Sequence, residues 1–105
     1  MIKDDEKLIV YLKASVNSVF KILPLWEEEN VGVKIYIESL LSELESLNEA
    51  IHIEHSDEYI SLLSTLHSVK KEISKEDSKK PFIKREVFKC INIIKNMVGR
   101  LEEDV

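Results

Sequence analysis

Residues 23–30 read LPLWEEEN, and whether a helix stops there or runs through decides what the whole chain can fold into. A proline removes a backbone donor and crowds the carbonyl four residues back, so Pro24 argues for interruption. The apolar phase argues for continuation. Leu23, Trp26 and Val33 keep the three- and four-residue steps of a single helical face, with only the polar Asn30 among them. Asn30 and Gly32 decide between the two, since both favour turns and a glycine inside a helix costs about 1 kcal/mol. The expected outcome is a first helix over residues 5–29, kinked or broken at Pro24, followed by a turn at residues 30–32. The alternative is one long kinked helix over residues 5–51, which has to bury its stripe in an intertwined dimer.

On either side of this junction the same spacing recurs. Ile9, Leu12, Val16, Val19 and Leu23 form one stripe, widened by Leu8 and Phe20. Val33, Ile37, Leu40, Leu44, Leu47 and Ile51 form a second; Tyr59, Leu62, Leu66, Val69 and Ile73 a third. Ile83, Val87, Cys90, Ile94, Met97 and Leu101 complete a fourth, broadened by Ile91 and Val98. Apolar residues spaced three and four apart stay on one side of a 3.6-residue helix, and no stretch alternates at the period of two that a strand needs. The punctuation agrees: Asp4 or Asp5 can cap the first helix, Ser56 with Asp57 and Glu58 can open the third, and Pro81 suits the first turn of the fourth. The sequence therefore predicts an all-α, antiparallel up-and-down four-helix bundle with helices over about 5–29, 33–51, 57–76 and 81–103, in one domain spanning residues 1–105.

Composition narrows the class. With 44% hydrophobic and 33% charged residues, two glycines and two prolines, the 105-residue chain lies far from the disordered class. Uninterrupted apolar runs last a few residues, well short of the roughly 20 that cross a bilayer, so no membrane partner is expected. MIKDDEKLIVYLK places acids where a secretory signal has its basic region, and the single Cys90 rules out an internal disulfide; both point to the cytoplasm. The net charge is −5, split as +1 over residues 1–23, −7 over 24–55, −2 over 56–77 and +3 over 78–105.

Catalytic and metal chemistry find little to build on. Glu49 and His52 have half the spacing of a bundle di-iron site, with His55 three residues further on, but there is no second copy. Glu54 and Asp57 resemble the second metal motif of helical nucleotide pyrophosphohydrolases, but Gly32 stands where the first motif needs a glutamate. Cys90 on the fourth stripe reads as a small buried hydrophobe. No nucleophile–histidine–acid order or phosphate-binding glycine loop occurs. No cofactor, no metal and no enzymatic activity are expected.

Two patches remain. Trp26 with Glu27, Glu28 and Glu29, joined by Glu38 and Glu45 on the outer side of the second helix, combines an interface-type aromatic with an acidic rim suited to a basic protein partner. Its three successive glutamates end a helix where the dipole disfavours them by a few tenths of a kcal/mol each. The stretch can act as a site only if Trp26 is partly exposed. Lys79, Lys80, Lys84, Arg85 and Lys89 gather at the start of the fourth helix and could meet phosphates, although the segment reads as lacking the interleaved aromatics of a single-strand binder. The chain is similar in size and helical character to bacterial immunity proteins and small inhibitors. The expected function is thus a non-catalytic regulatory protein that binds a protein partner, either another protein or its own copy as a homodimer; a nucleic-acid-associated regulator is the alternative.

Overall fold

A computed structural model describes residues 2–29, 31–51, 55–75 and 77–104. Among these the chain is helical without strands: α1 (Ile2–Phe20), α2 (Ile22–Glu27), α3 (Val33–Glu45), a short 3-10 turn (Asn48–Ala50), α4 (Ser56–Ile73) and α5 (Lys80–Asp104). Four helices, α1, α3, α4 and α5, pack against one another. α5 lies against both α1 and α4, α3 lies against α4, and α2 touches α1, α3 and α5. Two phenols link α1 to α3: the Tyr11 hydroxyl meets Glu43 at 3.3 Å and the Tyr36 hydroxyl donates to the Ser18 carbonyl at 2.6 Å.

The apolar stripes are the core. Leu12, Val19, Ile37, Leu44, Leu62, Leu66, Ile83, Ile94 and Met97 are fully buried in one cluster that spans all four long helices. Cys90 lies in it too, and burial pushes its thiol pKa up to about 12. Phe20 departs from its expected place in the first stripe: it is 49% exposed and stands edge-on to Phe88 of α5.

Several boundaries also differ from the expected ones. α1 starts at Ile2, so Asp4 and Asp5 fall inside the helix instead of capping it. The first arm breaks at Lys21, not at Pro24 itself, because the proline acts on the carbonyl four residues back, which is that of Phe20, the last residue of α1. The ladder holds on both sides: Lys21 N–H donates to Asn17 and Leu25 N–H to Lys21. α3 ends at Glu45, where the Leu44 carbonyl accepts both the Leu47 N–H at 3.1 Å and the buried Tyr59 hydroxyl at 2.6 Å. Leu47 and Ile51, expected to extend this helix, pack against the core from beyond its end. α4 ends at Ile73, short of residue 76. The single helix over 5–51 does not form, since the chain leaves α2 after Glu27 and restarts at Val33.

Residues 6–27, Glu6 to Glu27, have the length and composition of a membrane-crossing segment, which counting uninterrupted runs had missed. Here Leu8, Leu12, Val19 and Ile22 of that stretch belong to the core.

Candidate functional site

The geometry around Trp26 follows from how α2 stops. Its carbonyls need partners after Glu27, and the chain supplies them by turning back: Glu28 N–H donates to Pro24 and Glu29 N–H to Trp26, each at 3.0 Å. That turn puts Glu29 in the left-handed region at φ 56, a conformation normally left to glycine or asparagine. Gly32, expected to be the special turn residue, has an ordinary φ of −84 and precedes α3, its carbonyl accepting Tyr36 N–H. Asn30, the other expected turn former, lies outside the described residues.

Ile22 and Leu23 anchor α2 in the core, while Leu25 and Trp26 are packed against it and only partly covered. Trp26, Glu27 and Glu29 line a groove together with Val33 from the start of α3, Ile73 from the end of α4, and Ser78 and Lys80 before and at the start of α5. Its floor is apolar and its rim is charged. Glu27 reaches Lys80 at 3.9 Å with both side chains about half exposed, a pairing of little energetic weight in water.

The opposite wall is set by a carboxylate that sequence reading had passed over. Glu72, buried near the end of α4, accepts the Lys79 backbone N–H at 3.0 Å and the Lys75 ammonium at 3.3 Å. The Lys79 N–H, the strongest influence, and Lys75 hold its carboxyl pKa below the usual value. Glu72 thereby fixes the α4–α5 connection that carries Ser78 and Lys80 to the groove.

The other expected site residues scatter. Glu28 is exposed but outside the groove lining. Glu38 pairs with Lys70 at 3.3 Å and Glu45 lies 3.7 Å from His67, so both are used along the α3–α4 seam. Of the basic group, Lys79 lends its N–H to Glu72, Lys80 joins the groove, and Arg85 stacks over Phe82 at 5.3 Å and reaches Glu86 at 3.8 Å. Lys84 and Lys89 are exposed.

The histidine cluster is only partly visible. His52 and Glu54 lie outside the described residues. His55 is buried with Nδ1 3.7 Å from Glu58, whose carboxylate also receives Arg100 at 2.9 Å. Among the described residues no group of three or more His, Cys, Asp or Glu side chains is placed to hold a metal ion.

Val31, in the same turn as Glu29, is 97% exposed, an apolar side chain with no packing of its own. No protein-family model, no curated protein and no solved structure matches the chain.

Proposed function

We propose that this is a non-catalytic regulatory protein of the immunity or inhibitor kind, built as an antiparallel up-and-down four-helix bundle, which docks a basic-apolar segment of a partner protein at the Trp26 groove. The cross-helix pairs support the topology. Lys13 meets Glu102 while Phe20 meets Phe88, and Tyr11 meets Glu43 while Ser18 meets Tyr36. Leu44 meets Tyr59 while Glu38 meets Lys70. In each set the residue number rises on one helix as it falls on its neighbour.

One observation carries the docking reading: a partly exposed tryptophan, followed by a strained backbone turn at Glu29, lines one groove with the carboxylates of Glu27 and Glu29 and the apolar Val33 and Ile73. Tryptophan in such a position supplies a large rigid contact, and the acidic rim steers and orients a cation without adding much affinity by itself. A partner side chain such as lysine or arginine can lay its methylene stem on Trp26 and bring its charge to Glu27 and Glu29.

The test is affinity capture from the source cells with the tagged protein, followed by calorimetry on whichever partner is recovered. Trp26→Ala, and separately Glu27→Lys with Glu29→Lys, should each weaken that complex at least tenfold while the helical circular dichroism stays unchanged. A partner held equally well by both variants removes the site. If the partner recovered is the same chain, the solution mass should double with protein concentration in the wild type and stay monomeric in Trp26→Ala.

A further inference from the structure

From Lys84 to Gly99 the outward side of α5 is a stripe with a single, mostly covered acid. Lys84, Arg85, Lys89 and Lys95 are exposed along it, spread over about 140° of the helix circumference and about 16 Å of its length. Between them stand the exposed amides of Asn92 and Asn96, which share a shallow concavity with Arg85, Glu86, Phe88, Lys89 and Ile93. The one acid in this span, Glu86, has a side chain only 14% exposed and is turned to Arg85. This lies on a chain of net charge −5 whose acids concentrate in residues 24–55.

The stripe also has an aromatic platform. Phe88 is 40% exposed and Phe20 of α1 is 49% exposed, their ring centroids 6.1 Å apart at 70°. The expectation that the basic segment lacks interleaved aromatics is therefore corrected: Phe82 and Phe88 both fall among its cations, and α1 contributes a third ring next to them. The α1–α5 groove continues the positive strip, since Lys13 and Lys95 line it together, with Glu102 as the accompanying acid.

We infer that the α5 face centred on Phe88 binds single-stranded nucleic acid, with bases stacked on the Phe20–Phe88 pair and phosphates along Lys84, Arg85, Lys89 and Lys95. Unstacked bases offer a π-face to exposed rings, cations track the backbone, and amides can meet base edges. A duplex keeps its bases stacked and gains nothing from the rings. An anionic bilayer suits cations and phenylalanine but disfavours burying Asn92 and Asn96 at the same level. This face is independent of the Trp26 groove, so either proposal can fail alone.

The experiment is fluorescence anisotropy with a labelled oligothymidylate of about 12 nucleotides, within the span such proteins cover, beside a duplex of equal length and phosphatidylserine vesicles. The single strand should bind best. Four phosphate contacts predict that raising salt from roughly 50 to 200 mM weakens binding about 50-fold. Phe88→Ala should weaken it about tenfold, and Lys89→Glu with Lys95→Glu should abolish it. Lys34→Glu, an exposed change on α3, should leave it unchanged. Circular dichroism checks that each variant is folded. Absence of binding at low salt, preference for duplex or vesicles, or equal loss in Lys34→Glu overturns the inference.

Discussion

Replacing Glu29 by glycine should make the protein more stable, although it removes part of the groove wall. The backbone there is left-handed, at φ 56, which for a residue with a Cβ costs about 1–2 kcal/mol. Glycine removes that cost but gains about 0.5–1 kcal/mol of conformational freedom in the unfolded chain. The net expectation is a stabilisation of about 0.5–1 kcal/mol, or about 3–6 °C in melting temperature for a chain of this length. The side chain adds little on the other side of the balance, since Glu29 is exposed and its charge sits beside two more glutamates. Glu29→Gln separates the two effects, because it removes the charge and keeps the strain. Urea unfolding followed by circular dichroism should place the midpoint of Glu29→Gly above that of Glu29→Gln, with equal m-values. A glycine variant no more stable than the glutamine variant would refute the assignment of strain to this turn. The same pair bears on function: if the turn is held under strain to present Trp26, the glycine variant should be the more stable protein and the weaker binder.

Three further outcomes follow from single contacts. Tyr59→Phe removes the buried phenolic donor to the Leu44 carbonyl, which keeps the Leu47 N–H, and should cost about 0.5–1.5 kcal/mol in urea unfolding, whereas Tyr11→Phe at the exposed Glu43 contact should be close to neutral. Glu72 has its carboxyl pKa lowered in the folded state by the Lys79 N–H, so its contribution is fully present above the ordinary carboxylate value of 4.5 and is lost as pH falls through the lowered folded value; Glu72→Gln should flatten the acid limb of stability against pH below about 5. Cys90, buried with its thiol pKa at about 12, should react with an alkylating reagent at neutral pH only as fast as the protein opens, and denaturing urea should release that reaction; fast labelling of the native protein would place the thiol elsewhere.

The four seams were legible in the chain because burying an apolar stripe is what makes a helix of this kind stable, and the stripe is written at three- and four-residue spacing. What ended the helices was not legible, because it is done across the molecule. The Tyr59 hydroxyl reaches the end of α3 from 15 residues away, and Glu72 shapes the exit from α4 by accepting an N–H seven residues ahead. Pro24 was recognised as a disruption, but its effect appears one turn upstream, where α1 ends at Phe20, whose carbonyl the proline crowds, and the helix breaks at Lys21. Gly32 drew attention as the turn residue, although the left-handed position went to Glu29. The candidate groove was half visible. Trp26, Glu27 and Glu29 are neighbours in sequence, whereas Val33, Ile73, Ser78 and Lys80 come to them from other segments. Glu38 and Glu45 looked like parts of the same acidic surface by their position on α3, but Lys70 and His67 across the α4 seam engage them first. Phe20 was misplaced for a related reason: period alone sets which side of α1 it occupies, and the approach of α5 determines how much of it stays uncovered.

The half-covered Trp26 also makes the protein its own spectrometer. It is the only indole in the chain, so emission excited at the red edge of the absorption band comes from the groove and nowhere else. An indole next to water and carboxylates emits further to the red than one sealed in hydrocarbon, and covering it shifts the light toward the blue and slows quenching by iodide. Occupancy of the groove can therefore be followed in unlabelled protein, and a ligand of the α5 face should leave that colour unchanged.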